Sequence, residues 1–155
     1  MSDGIHGFII GDKEVVKRLS AMSNEAQSKV RAAIGRMTLR LQRKVMQEKL
    51  SGQVLSVRTG NLRRSIDGRV VNDGGATTGI VDTNLKYAAA REYGFQGTVT
   101  VREHLRRAKS GMVPVRSHSR RMNLPERSFL RSALRELQPD IVAAISAATG
   151  EAIKQ

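Results

Sequence analysis

Histidine and carboxylate side chains could carry acid–base or metal chemistry in this sequence, but their spacing predicts neither. The three histidines, His6, His104 and His118, lie far apart, and none belongs to an HExxH motif or another metal-binding spacing. Glu103 and His104 are adjacent, but adjacent residues on a strand point to opposite faces. The sequence has no cysteine, which excludes disulfides, thiolate metal sites and cysteine nucleophiles.

Glycine-rich segments and carboxylates give no stronger signal of catalysis. The segments 59–61 (TGN) and 74–75 (GG) lack the flanking pattern of a phosphate-binding loop and are typical of turns. The carboxylates are scattered along the chain, and Glu92 is the one framed by a notable motif. We therefore expect a protein that is not an enzyme and has no catalytic, cofactor-binding or metal-binding residues.

Positive charge is the strongest chemical signal in the sequence. Lys and Arg number 27 against 14 Asp and Glu, a net charge of +13 on 155 residues. Such an excess attracts polyanions and repels other copies of the chain, so the partner is expected to be nucleic acid, an acidic protein surface, or both. The candidate basic surface comprises Arg36, Arg40, Arg43, Arg102, Arg106, Arg107, Lys109, Arg116, Arg120 and Arg121.

These basic residues fall in two places with different interpretations. On the predicted long helix they form a stripe that is equally well explained as a solvated face or as a binding surface. Residues 102–121 have no hydrophobic period and predict a mobile basic loop that orders on a partner. Aromatic residues make up only 3% of the chain and no known base-reading motif is present, so contact with phosphates or an acidic surface is favoured over base-specific recognition.

Length and composition predict one domain over residues 1–155, with a core of Leu, Ile, Val, Ala and Met. The first residues lack the features of a signal peptide, and no run approaches the roughly 18 apolar residues of a membrane span. We expect a soluble protein, made in the cytoplasm, with no membrane partner.

A long helix near the N-terminus and a helix near the C-terminus must position these residues. Asn24 can cap the first helix, whose apolar residues recur at spacings of three and four up to Leu50. The last helix follows Pro125; Pro139 is expected to kink or restart it. Its end around 146–155 is expected to be flexible, the tail 143–153 being either frayed or packed on a neighbouring subunit.

Short strands are predicted between the two helices, and they define an α+β domain in which both helices pack on a small antiparallel sheet. The turn signal at 73–75 predicts a hairpin, and Gly94 is expected to stop a helical turn. The predicted segments are a strand at 5–10, a short helix at 13–21, a hairpin of 69–72 with 77–83, helical turns at 87–93, and strands at 98–101 and 112–117.

Three motifs occur in a characteristic order: VRTGNLRRSI at 57–66, YAAAREYG at 87–94 and PERSFLRSAL at 125–134. Together they resemble the tail-component, or neck, proteins of long-tailed bacteriophages, the family typified by the gene-ten product of a lambdoid phage. The resemblance covers about residues 10 to 140. Gly94 is followed by FQG rather than an early Thr, the approach to Phe129 is LPER, and the basic segment is long. The position of the protein in the virion therefore stays open: neck, tail completion or tail terminator.

The resemblance implies a virion structural protein at the head–tail junction or tail top. It implies a ring of copies, commonly a hexamer, between head connector or stopper proteins and tail-tube or terminator proteins, with the DNA passing through as a further contact. The motif residues implied at this interface are Arg58, Thr59, Gly60, Leu62, Arg63, Tyr87, Glu92, Tyr93, Gly94, Arg127, Phe129 and Leu130.

The residue types suggest individual roles within these motifs. Thr59 can cap a turn that Gly60 permits, while Tyr87 and Tyr93 are expected to pack in the core. Glu92 is expected to pair with an arginine in the same chain or across a subunit boundary. Phe129 and Leu130 are expected to anchor the last helix, with Arg127 and Arg131 facing a neighbour. The alternative function is a sequence-independent nucleic-acid-binding protein acting outside any virion.

Overall fold

This computed structural model describes residues 5–8, 24–73, 76–109 and 111–153. It has a long helix near each end of the chain, and most of its short antiparallel strands lie between these two helices in the sequence. The α+β prediction is confirmed. The elements are β1 Ile5–Phe8, α1 Asn24–Lys44, a π-helical segment Val45–Gln53, α2 Asn61–Arg64, β2 Ile66–Asp73, β3 Ala76–Thr83, α3 Lys86–Glu92, β4 Phe95–Val101, β5 His104–Ala108, β6 Gly111–Val115, β7 His118–Leu124 and α4 Leu130–Ile153.

Helix α1 forms where the three-and-four spacing predicted it. Its buried residues include Val30, Ala33 and Leu41, which lie on one face as the periodicity requires. From Val45 the helix continues with π-helical hydrogen bonding, and it loses helical geometry at Ser51 and Gly52. Helical geometry is therefore lost just after Leu50, where the predicted apolar spacing ends.

The central sheet has the strand order β1-β3-β2, and all its pairs are antiparallel. Strands β2 and β3 pair from Ile66 opposite Thr83 to Asp73 opposite Ala76, which confirms the predicted hairpin. The predicted opening strand is found at 5–8, while its last two residues and the helix predicted at 13–21 lie outside the described residues.

The core lies between α1, the sheet and α4. Phe129 is fully buried there and Leu130 nearly so, packed in one cluster with Leu41 and Val81. Each such side chain contributes about 1.5–3 kcal/mol by leaving water. The sheet approaches α1 so closely at Gly79 that a β-carbon there would collide with the Thr38 hydroxyl.

Ion pairs fix α4 against α1 and the π-helical segment. The Lys49 ammonium is almost fully buried and lies 2.6 Å from Glu136 Oε1, and Lys44 lies 3.2 Å from Glu136 Oε2. Arg40 Nη2 lies 2.7 Å from Asp140 Oδ2, so this member of the predicted basic surface is already paired within the chain.

Helix α4 contains Pro139 without a break in its assignment, so the predicted restart there is wrong. Proline removes one backbone donor, and packing on both sides of it holds the helix together. The tail 143–153 is helical, and Ala148 packs against Val30 and Ala33 of α1 in the same chain. Packing of the tail on a neighbouring subunit stays a prediction. Flexibility around 146–155 stays a prediction.

The basic segment 102–121 contains strands β5 and β6 and part of β7, so the prediction of a loop is wrong there, while its mobility stays a prediction. Strand β4 pairs with β7, and β5 pairs with β6. The segment predicted at 112–117 as partner of β4 therefore pairs with β5 instead. The predicted strand at 112–117 covers most of β6, whereas hydrophobic alternation missed β5 and β7, because both faces of these two strands are largely exposed to solvent. We call residues 95–124 the β-arm.

Candidate functional site

The three sequence motifs, although far apart along the chain, line one cavity of about 530 Å³. We call this cavity the arginine groove. The first motif contributes six of the twelve lining residues, the π-helical segment and the loop after it contribute three, α3 contributes two and the approach to α4 contributes one. The lining residues are Leu50, Leu55, Ser56, Val57, Arg58, Thr59, Gly60, Leu62, Arg63, Tyr87, Arg91 and Arg127.

Backbone hydrogen bonds and one left-handed glycine shape the wall formed by the first motif. Gly60 has φ 74°, a conformation that glycine adopts without steric cost, and helix α2 starts directly after it. The Thr59 hydroxyl accepts a long hydrogen bond of 3.4 Å from the amide of Asn61. Arg64 braces the turn by donating to the Thr59 carbonyl at 3.2 Å. Leu62 turns inward and packs on the core.

Helix α3 presents different residues to the groove and to the core. Tyr87 and Arg91 are four residues apart, so they share a face, and both line the groove. Ala88 and Glu92, also four apart, are fully buried on the other face. Tyr87 and Tyr93 are 48% and 53% exposed, so the expectation that both pack in the core is wrong.

The groove is positively charged and partly apolar. Arg58, Arg63, Arg91 and Arg127 line it together with leucines, and no carboxylate does. Among the described residues, Arg58, Arg91 and Arg127 make no side-chain ion pair, while Arg63 Nη1 donates to Ser51 Oγ at 3.3 Å. The groove can therefore bind a carboxylate or another anion next to an apolar group.

Arg91 was missed by the sequence analysis although it lies in the second motif. Its four-residue spacing from Tyr87 was the available signal, since it places both side chains on one helical face. Its carbonyl oxygen also accepts a hydrogen bond of 2.9 Å from the amide of Arg127. This bond ties the second and third motifs together at the edge of the groove.

Behind the groove, the Glu92 carboxylate caps the N-terminus of α4. It is fully buried and accepts hydrogen bonds from the backbone amides of Phe129, Leu130 and Arg131 at 2.7, 3.0 and 2.9 Å. It also accepts from Ser128 Oγ at 2.8 Å. These donors are amides that a helix start leaves unpaired, so Glu92 supplies an N-cap from a distant part of the chain.

Arg131 also binds Glu92, on the side of this contact that is exposed to solvent. Its Nε lies 3.2 Å from Glu92 Oε1, and its Nη2 lies 2.7 Å from Glu126 Oε1. The guanidinium carbon also lies 4.5 Å from the centre of the Tyr93 ring, a cation–π distance. Glu92 thus pairs with an arginine of its own chain, and Arg131 is engaged within the chain rather than free to face a neighbour.

The environment of Glu92 shifts its protonation equilibrium in two opposing ways. Burial by itself raises the pKa of Glu92, but the hydrogen bonds from Leu130, Arg131, Ser128 and Phe129 outweigh burial and lower that pKa below its usual range. The group is therefore a charged structural anchor at neutral pH and not a proton donor.

Gly94 places the strand that follows α3 against the approach to α4. Its φ of 76° lies in the left-handed region. A β-carbon at this position would lie 3.0 Å from both the Glu126 amide nitrogen and the Leu124 carbonyl oxygen. Both neighbours are backbone atoms that cannot move aside cheaply, so this motif glycine is required by close packing.

The predicted basic surface does not gather at the groove. Arg36 and Arg43 are exposed on α1, and Arg40 is paired with Asp140. The other members lie on the β-arm: Arg102, Arg106, Arg107, Lys109, Arg116, Arg120 and Arg121.

The described residues offer neither a metal site nor a membrane-spanning helix. Within the described ranges, no group of three or more His, Asp or Glu side chains could hold a metal ion. The described helices include none with the length and apolar character needed to cross a bilayer.

Comparison with known protein families identifies a match to the first part of the chain. A family model named HK97-gp10_like, described as "Bacteriophage HK97-gp10, putative tail-component", matches residues 13–94. The match runs through α1, strands β2 and β3, and α3, and it ends at Gly94, so it contains the first two motifs. No curated protein and no solved structure matches this chain. More than half of the chain is covered by the family model, and the protein therefore belongs to the HK97-gp10-like family of bacteriophage tail components.

Proposed function

We propose that this protein is a non-enzymatic structural subunit of the phage head–tail junction, acting as a ring, commonly of six copies, that joins the head connector to the tail tube. The observation that carries this proposal is the convergence of three separated motifs on the arginine groove. Membership of a tail-component family supplies the virion context. The position of the ring within the junction is one of three alternatives: neck, tail completion or tail terminator.

The arginine groove is the proposed contact with an adjacent ring. Its arginines have no carboxylate in the lining, so a partner that brings carboxylates gains paired, bidentate hydrogen bonds. Another copy of this chain would bring further positive charge, since each carries a net +13. An acidic surface of a connector, stopper or tail-tube protein therefore fits the groove better than a second copy does.

Exposed apolar surface in the groove supports a protein partner. Tyr87 and Val57 are both exposed large apolar side chains that line it. Tyrosine and arginine are the residue types that most often dominate binding energy at protein interfaces. A partner segment with one carboxylate and one apolar side chain would satisfy both parts of the groove.

Mass photometry and electron microscopy of the purified protein, alone and with the tail-tube protein, test the proposed ring. We expect oligomers with the partner and incorporation into virions. The double variant R58E/R91E should reduce incorporation at least about tenfold, because each charge reversal at a desolvated ion pair costs several kcal/mol. R31E/R36E, two exposed arginines on α1, is the control with the same change of charge. A chain that stays monomeric and never enters virions would end the proposal.

The alternative function is sequence-independent nucleic-acid binding outside any virion, and the charge of the β-arm favours it. Gene neighbourhood separates the two functions, because flanking portal, capsid and tail genes are expected only for the virion protein. Virions that assemble normally without this protein, together with its binding to unrelated duplexes, would favour the alternative.

A further inference from the structure

The β-arm is a two-stranded ribbon made of two ladders, β4–β7 and β5–β6, that share one register. Phe95 pairs with Leu124 and Val101 with His118, and the same register resumes with His104 opposite Val115 and ends with Ala108 opposite Gly111. Each side has two residues between the ladders, so the register is unbroken. At about 3.3 Å per residue, residues 95–108 span about 45 Å.

The outer half of this ribbon is exposed on both faces. Strands β5 and β6 pair with each other and with no other described strand. Leu105 is 62% exposed and Met112 is 60% exposed, although large apolar side chains usually find cover. A lone two-stranded hairpin is marginally stable in water, so a partner that covers the β-arm would stabilise it.

Positive charge is distributed over both faces of the ribbon. Adjacent residues of a strand point to opposite faces, so the pair Arg106 and Arg107 on β5 and the pair Arg120 and Arg121 on β7 place arginine on each face. Residues 95–124 contain seven Lys and Arg but a single carboxylate, Glu103. None of those seven cations makes an ion pair with a described carboxylate.

We infer that the β-arm binds the phosphate backbone of duplex DNA without sequence preference. The major groove admits a two-stranded β-ribbon and flanks it with a phosphate strand on either side. A ribbon in the groove turns its two edges toward these phosphate strands, which long arginine side chains from either face can reach, whereas a flat acidic protein surface would contact one face and leave the other unpaired. Exposed Leu105 and Met112 can contact sugars or thymine methyl groups in such a groove.

The composition of the β-arm favours duplex over single-stranded DNA. Phe95, at the base, is the only aromatic residue of the β-arm. Proteins that hold single strands stack the bases on exposed aromatic rings, which this surface does not offer. Duplex binding relies on phosphate contacts, which arginine and lysine supply.

Fluorescence anisotropy with two unrelated 30-base-pair duplexes and a 30-nucleotide single strand tests the inference over 50–200 mM salt. The triple variant R106Q/R107Q/R120Q removes charge from the β-arm. R31Q/R36Q/R43Q removes the same charge from exposed positions of α1 and is the matched control. Circular dichroism and thermal unfolding establish that both variants remain folded.

We expect the full chain to bind both duplexes equally and more tightly than the single strand. Each phosphate contact contributes about 0.9 to the slope of log K against log salt, so the β-arm variant should show a slope shallower by about 2–3. Its affinity at 100 mM salt should fall at least about thirtyfold, and that of the control less than about threefold.

Three results would overturn the inference: no duplex binding at 50 mM salt, equal loss in both triple variants, or tighter binding to the single strand. Binding of the β-arm to an acidic protein or polyglutamate with no duplex binding would assign it to a protein partner instead. The test is separate from the proposed ring, because R58E/R91E should impair assembly while keeping the salt slope of duplex binding.

Discussion

Replacement of Glu92 by glutamine tests whether this buried carboxylate holds α4 in place. The substitution keeps the size and shape of the side chain but removes its charge and one of its two acceptor oxygens. In the native chain Oε2 accepts from the Phe129 and Leu130 amides, and Oε1 accepts from Ser128 Oγ and from the amide and Nε of Arg131. Whichever oxygen becomes an amide group, at least two donors face another donor.

The expected loss of stability follows from these unpaired donors. A buried donor without a partner costs about 1–3 kcal/mol, and a carboxylate at a helix N-terminus adds up to about 2 kcal/mol in a partly buried site. Taking two unpaired amides as the main cost, E92Q should lower the free energy of unfolding by about 3 kcal/mol at pH 7. That is a large part of the roughly 5–15 kcal/mol typical of a domain. Urea unfolding followed by circular dichroism measures it.

The effect of E92Q should depend on pH with a defined sign. The pKa of Glu92 is lowered in the folded protein, so its charged form contributes stability above the unfolded pKa, which is about 4.3. That stability is lost as the pH falls through the folded pKa. The difference between wild type and E92Q should therefore be constant at neutral pH and narrow progressively below about pH 4.

Glu126→Gln provides the matched control, because Glu126 binds the same arginine from an exposed position. Its Oε1 lies 2.7 Å from Arg131 Nη2, and its side chain is 56% exposed. Surface substitutions of this kind change stability by no more than about 0.5 kcal/mol. If E92Q unfolds within about 1 kcal/mol of the wild type, or no earlier than E126Q, Glu92 does not act as the cap proposed here.

Three further outcomes are expected. Gly94→Ala should destabilise the fold by about 2–3 kcal/mol in urea, because a left-handed backbone and two close backbone atoms oppose its β-carbon, whereas Gly150→Ala, in an open helical position, should be neutral or stabilising. Tyr87→Ala should leave the unfolding temperature within about 2 °C of wild type but weaken capture of the partner ring in a pull-down at least about tenfold, since this side chain is exposed. Ring formation by the isolated protein should be weak at low ionic strength and increase with salt or with an acidic partner in mass photometry; a stable ring in low salt without a partner would contradict this.

The regular elements with one buried face could be predicted from the sequence. Helix α1 shows apolar residues at three-and-four spacing because it packs on both the sheet and α4, and the hairpin β2–β3 is marked by its glycine turn. The β-arm could be predicted only in part. The strands predicted at 98–101 and 112–117 lie within β4 and over most of β6, but β5 and β7 are largely exposed on both faces, so they need no alternation of apolar and polar residues. The pairing and register of all four strands are visible only in the structure.

The role of Glu92 was equally hidden, because an N-cap supplied from another part of the chain leaves no local signal. Capping residues recognisable in a sequence stand directly before their helix, whereas Glu92 lies 37 residues before Phe129. A buried carboxylate at the end of a short helix could be expected to have a partner, and an arginine was expected. The backbone amides of α4, which make up most of its partners, could not be inferred.

The burial of Glu92 and the position of Arg91 in the groove both follow from the orientation of helix α3. Helix α3 turns Glu92 inward to cap α4 and Arg91 outward into the groove, while the Arg127 amide donates to the Arg91 carbonyl. The backbone bond fixes Arg127 beside Arg91, and the Glu92 cap holds the same two segments together, so a carboxylate in the groove would meet two neighbouring cations. Tyr87→Ala removes a groove side chain without changing the contact between Glu92 and the start of α4, whereas E92Q weakens that contact without removing a groove side chain. If the groove binds a partner, both variants should weaken capture, but only E92Q should also lower stability.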